Sequence, residues 1–280
     1  MVSQYVTSSD GAQIYCEAYG NASKPALVVV AGYTLSLIVF VEKQLELQKD
    51  LHLVLYDMRG HRRSAMPETI EGHASKLYVD DFEAVCDAFK LRKPVFGGWS
   101  LGAGTNITDI CDHLGADILG GIILIGGIPF ISALLPGLSD RSDVKKTRQT
   151  TVGFNNALFL DPESVSYFTR LAWMGCFLPQ PPEAGRTVAT RTPHEAKIFA
   201  AGKTGLKVMC LYGEQDAATR GMAVVEVLRP HFPHLKVVGV DQAGHSVFYE
   251  KPVEMNKALL DFVRACDPSV APDRSACTAQ

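Results

Sequence analysis

Ser100 lies at the centre of the stretch GWSLG (98–102), in which a glycine flanks the serine two residues away on each side. This spacing is typical of a nucleophile elbow, a turn from strand to helix so tight that only glycine fits beside the serine. A helix that begins at the serine directs its amide donors and positive dipole end at any negative charge that develops there. The motif therefore predicts a serine nucleophile for acyl transfer.

Two later segments supply the base and the acid that such a serine needs. The apolar run 207–212 leads into GEQD, which ends at Asp216, and the run 236–240 leads into DQAGH, which ends at His245. In a parallel sheet both segments emerge at the carboxyl edge, where Ser100 also lies. We expect His245 to act as general base and Asp216 to orient its imidazole. Glu214 competes for the acid role, but Asp216 lies deeper in the loop.

An oxyanion hole for this chemistry requires two backbone donors. Leu101, directly after the serine, supplies the first amide. The loop that follows the apolar run 25–31 begins with Gly32 and Tyr33, and we assign the second amide to Tyr33. The Tyr33 hydroxyl is either an additional donor or a group that only lines the cleft, and the sequence leaves both interpretations open.

The elements that position these residues alternate between strand and helix. Short β-branched apolar runs predict strands, and apolar residues at three- and four-residue spacing predict helices. The segment 3–19, with its turn at Asp10 and Gly11, predicts an N-terminal hairpin. Together these patterns predict an α/β fold with a mostly parallel eight-stranded sheet and helices on both faces. The predicted strands after the hairpin are 25–31, 52–57, 94–98, 119–126, 207–212 and 236–240, and the predicted helices are 40–49, 75–89, 103–113, 222–228 and 253–266.

The long stretch after the sixth strand breaks this alternation and is rich in aromatic residues and prolines, which predicts a small helical cap. We therefore divide the chain into core (1–126), cap (127–204), core (205–266) and a disordered tail (267–280). Apolar side chains of the cap and the elbow are candidates for a pocket that binds an apolar acyl group, although packing is the commoner role for any one of them. These candidates are Trp99, Phe130, Phe154, Trp173, Met174 and Phe177.

Composition excludes several classes of function. The chain has 280 residues and a net charge of -3, which provides no basic field for nucleic acid or anionic membrane. It contains no apolar stretch of about 18 residues that could cross a bilayer. The seven cysteines are odd in number and widely spaced, which favours reduced thiols and a cytoplasmic location. No metal-ligand spacing and no phosphate loop occur, so we expect neither a metal nor a cofactor.

With the elbow, the acid loop and the Gly244-His245 pair, the chain resembles the α/β-hydrolase superfamily over nearly its full length. The stretch DMRGHRRS (57–64) also looks like the turn that follows the family's fourth strand. Within the superfamily, the segments VFGGWSLG (95–102) and DQAGHSVF (241–248) are most similar to the group that contains serine-type N-acyl-homoserine lactonases.

Two positions depart from the family pattern. Ala31 stands where a histidine usually precedes the oxyanion glycine, and Arg62 stands where a second glycine is usual. The first change puts the geometry of the oxyanion loop and the substrate class in doubt. We expect Arg62 to point to solvent rather than to bind an acidic substrate group.

The residues and the resemblance together predict a serine hydrolase that opens a small carboxylic ester or lactone through an acyl-enzyme. The same triad also serves carbon-carbon bond hydrolysis, perhydrolysis and lyase reactions, which the sequence does not separate. A ligand-sensing protein that retains a slow triad is a further alternative, and turnover far below about one per second would distinguish it. The substrate and the oligomeric state are not encoded in any motif that we recognise.

Overall fold

The computed structural model describes residues 1–127, 141–188, 191 and 193–267. Phe130, most of the predicted tail and the first part of the predicted cap therefore lie outside the described residues. Eight strands form one sheet in the order β1-β2-β4-β3-β5-β6-β7-β8. They are β1 (Val2–Thr7), β2 (Gln13–Tyr19), β3 (Ala26–Val30), β4 (His52–Tyr56), β5 (Val95–Trp99), β6 (Gly121–Ile125), β7 (Val208–Gly213) and β8 (Lys236–Val240).

The sheet is antiparallel at one edge and parallel elsewhere. β1 pairs with β2, and β2 with β4, in antiparallel register, and every other neighbouring pair is parallel. Ser8 donates its amide to the carbonyl of Ala12 across 2.8 Å, and Gly11 takes a φ of 86° at the hairpin turn. The predicted hairpin and the predicted α/β-hydrolase sheet are confirmed.

The helices follow the predicted alternation, with differences at their ends. The predicted helix 75–89 has the same limits in the structure, whereas the predicted helix 40–49 begins earlier and ends as a short 3₁₀ helix, Leu45–Lys49. The described α-helices are α1 (Ile38–Gln44), α2 (Ser75–Phe89), α3 (Leu101–Leu114), α4 (Val144–Ala157), α5 (Tyr167–Met174), α6 (Pro182–Thr187), α7 (Ala196–Lys203), α8 (Gly221–Leu228), α9 (Val247–Glu250) and α10 (Pro252–Cys266).

Apolar side chains of the central strands are buried on both faces of the sheet. In β3, Val28 and Val30 pack on the face covered by α2 and α3, while Leu27 and Val29 pack on the face covered by α1 and α10. Successive side chains of a strand point to opposite faces, so helices on both sides are needed to remove this apolar surface from water. The sheet is thereby held rigid, and its carboxyl edge becomes a fixed platform for the loops above it.

Helices α4 to α7 are inserted between β6 and β7. The last of them, α7, packs on α3, and the preceding Arg191 donates to Asp109 of α3 across 2.5 Å. The limits of a separate cap within 127–204 stay a prediction. In the described ranges, the six cysteines are buried and free, and no helix has the length and apolarity needed to cross a membrane.

Candidate active site

Ser100 occupies the sharp turn between β5 and α3, with φ 55° and ψ -119°. A side chain on Gly98 would come within 2.4 Å of the backbone of Gly102, and one on Gly102 within 2.5 Å of the carbonyl of Ala31. Glycine is therefore required on both sides of the serine for steric reasons. Because α3 begins at Leu101, its free amides lie directly beside the half-buried serine.

His245 and Asp216 meet at the carboxyl edge of the sheet. The Nδ1 atom of His245 lies 2.8 Å from Oδ2 of Asp216, and only 3% and 7% of the two residues are exposed. Glu214, the competing acid, is exposed and lies beside Gly239 of the edge strand β8. The structure thus brings Asp216, and not Glu214, to the imidazole.

Thr219, a residue that the sequence analysis did not identify, fixes the carboxylate of Asp216. Its hydroxyl donates to Oδ2 across 2.6 Å, while its amide and that of Ala218 donate to Oδ1. Burial alone would raise the pKa of Asp216, but the hydrogen bonds from His245 and Thr219 outweigh burial and lower it. Asp216 is therefore held as a carboxylate that faces the histidine.

Ser100 and His245 both lie close to the segment 125–127 at the end of β6. The amide of Ser100 donates to the carbonyl of Ile125, and a side chain on Gly126 would come within 3.4 Å of Nδ1 of His245. In the described part of the chain, the Ser100 hydroxyl makes no hydrogen bond to His245. Such contacts are often long in enzymes without substrate and tighten when substrate binds.

The loop after β3 passes directly beside the serine. A side chain on Gly32 would lie 3.0 Å from Cβ of Ser100, a tight contact, so glycine suits this close approach. Leu35 donates its amide to the carbonyl of Gly32, and Thr34 takes a φ of 62°, as the third residue of a type II turn requires. This turn holds the backbone of Tyr33 beside Ser100.

The Tyr33 hydroxyl has a different partner. It donates to the carbonyl of Gly185 in α6 across 2.9 Å, and the residue is 1% exposed. Its ring packs edge-on against Phe154 and Phe177. Of the two interpretations that the sequence left open, an additional donor to the site is disfavoured, because the hydroxyl proton is already used.

Two predicted pocket residues, Trp99 and Trp173, are buried in the structure. Trp99 is fully buried beneath the site, where its indole N–H donates to the carbonyl of His245 across 2.9 Å. Trp173 is 3% exposed and stacks on Phe248 with ring centres 5.9 Å apart. Other rings cover the faces of both residues, and substrate contact by either of them stays a prediction.

The remaining pocket candidates differ in exposure. Phe177 is buried against Tyr33, while Phe154 is half-buried in the same aromatic group. Met174 is half-buried and lines a cavity of about 470 Å³ between α4 and α5. None of these observations tests substrate contact, so that part of the pocket stays a prediction.

Arg62 does not point freely into solvent, as the sequence analysis expected. It is half-buried, and its guanidinium donates to the carbonyl of Gly175 in the inserted segment across 3.4 Å. Its φ of 41° lies in the left-handed region, where glycine is favoured. The arginine thus keeps the backbone conformation for which the family pattern uses glycine, and adds a contact to the inserted helices.

Curated relatives match the chain over different lengths. "Probable oxidoreductase EphD" of Mycobacterium tuberculosis is 32% identical over 94 residues, which are 34% of this chain but only 16% of that protein. "Bifunctional esterase/perhydrolase DCH" of Acinetobacter calcoaceticus is 32% identical over 101 residues, 36% of each chain. "AB hydrolase superfamily protein YisY" of Bacillus subtilis is 24% identical over 92% of this chain and 98% of its own.

Solved structures share the fold over nearly the whole chain. The esterase RhEst1 from Rhodococcus sp. ECU1013 superposes with a TM-score of 0.85 at 23% identity and covers 95% of this chain and 100% of its own. A bromoperoxidase from Bacillus anthracis has a TM-score of 0.76 at 18% identity, over 94% and 100% of the two chains. The family model described as "Alpha/beta hydrolase family" matches residues 27–258, so this chain belongs to the alpha/beta hydrolase family.

Proposed function

We propose that the protein is a serine hydrolase that cleaves small carboxylic esters or lactones through an acyl-enzyme, with Ser100, His245 and Asp216 as its triad. The observation that carries the proposal is the buried 2.8 Å contact between His245 and Asp216, at the sheet edge where Ser100 occupies its strained turn. Esterases among the relatives and structural neighbours support ester hydrolysis.

In the acylation step, the Ser100 oxygen attacks the ester carbonyl carbon while Nε2 of His245 accepts the hydroxyl proton. Asp216 faces Nδ1 and stabilises the imidazolium that forms. The tetrahedral intermediate then collapses as the bond to the leaving alcohol breaks, and His245 returns the proton to that alcohol. The alcohol departs and the acyl group remains on Ser100; from a lactone, the hydroxyl stays attached to the acyl chain.

The negative charge on the substrate oxygen is stabilised by the amides of Leu101 and Tyr33. Leu101 opens α3, and the turn of residues 32–35 holds Tyr33 beside Ser100. Each donor of this kind contributes about 10²–10³ in kcat in enzymes where it has been removed. The Ala31 position needs no polar side chain for this arrangement, because the turn is closed by backbone atoms.

Deacylation repeats the same chemistry with water. His245 removes a proton from water, the hydroxide attacks the acyl carbon, and the bond to Ser100 breaks as the serine regains its proton. We propose that the inserted helices α4 to α6 act as a cap that selects apolar acyl groups. Half-buried Phe154 and Met174 belong to these helices and are its candidate contacts.

Reaction with a fluorophosphonate probe tests the nucleophile without knowledge of the substrate. We expect intact-mass spectrometry to find one adduct on the wild type, none on Ser100→Ala, and a strongly reduced rate on His245→Ala. Glu214→Gln is the matched control and should react as the wild type does. An unlabelled, folded wild type, or a labelled Ser100→Ala, would contradict the mechanism. Hydrolysis of p-nitrophenyl acetate and of an unsubstituted lactone then separates the two substrate classes.

Perhydrolysis is a second candidate, favoured by the esterase/perhydrolase DCH among the relatives. In that reaction hydrogen peroxide replaces water in deacylation, so that the acyl-enzyme yields a peracid and free Ser100. Both reactions share the acylation step and differ only in the second nucleophile. The test is to incubate the wild type with an acetate ester and hydrogen peroxide and to measure peracetic acid. Peracid formed by the wild type and not by Ser100→Ala would establish perhydrolysis.

A further inference from the structure

Glu250 is a carboxylate that the sequence analysis did not single out, and it lies at the end of the short helix α9. Its Oε1 atom accepts the amide of Leu160 across 2.7 Å, and its Oε2 atom accepts the amide of Gly244 across 2.8 Å. Leu160 follows inserted helix α4, whereas Gly244 directly precedes His245. A single side chain therefore bridges the inserted segment and the histidine loop.

The two chain segments are also in direct contact on the other side of His245. The amide of Ser246 donates to the carbonyl of Leu158 across 2.8 Å. A side chain on Gly244 would come within 2.7 Å of the amide nitrogen of Leu160, so only glycine permits this approach. The residue before His245 and the residue after it are thus both tied to the segment that leaves α4.

A carboxylate fits this position better than any other side chain. Both groups that face it are amide donors, and a carboxylate offers two acceptor oxygens without a donor. A glutamine would offer one oxygen and turn an N–H₂ group toward the second amide. Glu250 is half-buried; burial raises the pKa of its carboxyl, and the hydrogen bonds from the two amides act in the opposite direction, in favour of the carboxylate.

We propose that Glu250 is a positioning residue, which sets the place of the His245 imidazole by coupling its loop to the inserted helices. The inference rests on the proposed function, because it concerns the histidine that would serve as general base. Trp99 holds the carbonyl of His245 from below, and Asp216 holds its ring, while Glu250 fixes the amide of the preceding residue. A bound substrate that shifts the inserted helices would thereby shift the base.

The test compares wild type with Glu250→Gln, and uses Glu254→Gln as matched control because Glu254 is exposed at the start of α10. We expect Glu250→Gln to lower the fluorophosphonate labelling rate and the kcat for p-nitrophenyl acetate about 10-fold. A displacement of about 1 Å in a catalytic group can cost up to about 100-fold. KM should stay unchanged because the proposed role of Glu250 acts through the backbone of the His245 loop, and Glu254→Gln should behave as wild type.

Urea denaturation of each variant gives the folded fraction. A labelling rate per folded molecule equal to that of wild type would overturn the proposal, since a merely structural glutamate changes only the amount of folded protein. An increase of KM of about 10-fold with an unchanged kcat would overturn the proposal as well.

Hydrogen exchange supplies a readout that needs no activity. We expect Glu250→Gln to lose amide protection in the peptides that contain Leu160 and Gly244 together, with Glu254→Gln unchanged. Loss in neither peptide, or in one of them alone, would overturn the bridge. If the wild type is not labelled at all, the proposed function fails, while this measurement still decides whether Glu250 couples the two segments.

Discussion

Two of the places where the inserted segment meets the core differ in chemistry. At the first, which we call the histidine contact, Trp173 packs on Trp99, Phe248 and Phe159, and Leu158 and Leu160 bond to the loop of His245 and to Glu250. Apart from Glu250, this contact consists of aromatic rings and backbone bonds. Aromatic rings in such close contact tolerate little displacement, because protein interiors are tightly packed.

The second place, the Tyr33 contact, is polar. Gln180 donates to the carbonyl of Gly60 across 2.6 Å, and Tyr33 donates to the carbonyl of Gly185. The guanidinium of Arg141 donates to the carbonyl of Gln180 and lies over the ring of Phe177. Aromatic packing is present at both contacts, since the ring of Tyr33 lies against Phe154 and Phe177, but side-chain hydrogen bonds to backbone carbonyls distinguish the Tyr33 contact.

The largest loss of stability is expected when the Trp173 ring is removed from the histidine contact. Trp173→Ala removes a ring that is 3% exposed and should lower the free energy of unfolding by about 3–5 kcal/mol. Phe168→Ala, on the same helix but with Phe168 81% exposed, should change it by less than about 0.5 kcal/mol. Urea denaturation of the two variants measures the difference. Equal losses of unfolding free energy in the two variants would mean that packing of Trp173 on its neighbouring rings does not stabilise the fold.

A smaller effect on stability, dependent on pH, is expected from His61 and His73. His61 directly follows Gly60, which belongs to the Tyr33 contact. Burial lowers the pKa of His61 and of His73 to about 4, below the ordinary 6.5. The unfolded chain therefore binds protons that the folded chain does not between pH 6.5 and about 4. Each histidine therefore contributes about 3 kcal/mol to the free energy of unfolding. This contribution is complete above pH 6.5 and is lost as the pH falls to about 4.

His61→Gln isolates this contribution. Its free energy of unfolding, measured in urea from pH 7 to pH 4, should fall by about 3 kcal/mol less than that of the wild type. His234→Gln is the control, since His234 is exposed, and it should keep the slope of the wild type. A His61→Gln variant with the unchanged slope would show that His61 is not kept neutral by the fold.

The comparison also explains which features could be read from the sequence. The elbow was predictable because its glycines and its serine stand in one contiguous motif, and the sheet because its central strands are short apolar, β-branched runs. The packing of Trp99 on Trp173 could not be read in the same way, because an aromatic residue looks the same whether its ring faces a cavity or another ring 74 positions away along the chain.

The polar partners were harder still to predict from the sequence. Tyr33 bonds to a carbonyl 152 residues later, and Glu250 bonds to an amide 90 residues earlier, so neither bond has a local signature. For Arg62, only the departure from the family's glycine pointed to a left-handed backbone. The fold and the order of the candidate triad were therefore accessible from the sequence, whereas the bonds that hold the inserted helices were not.

The smallest predicted effect separates the backbone of Tyr33 from its side chain. Tyr33→Phe leaves the carbonyl of Gly185 buried without its donor, which should lower the free energy of unfolding by about 1–2 kcal/mol. The kcat should stay close to that of the wild type, because the amide assigned to the oxyanion is retained. Tyr167→Phe, with Tyr167 69% exposed, is the control for loss of a hydroxyl from this segment. A fall in kcat of about 10²–10³ for Tyr33→Phe would instead make the hydroxyl an oxyanion donor, and the Tyr33 contact a catalytic rather than a supporting one.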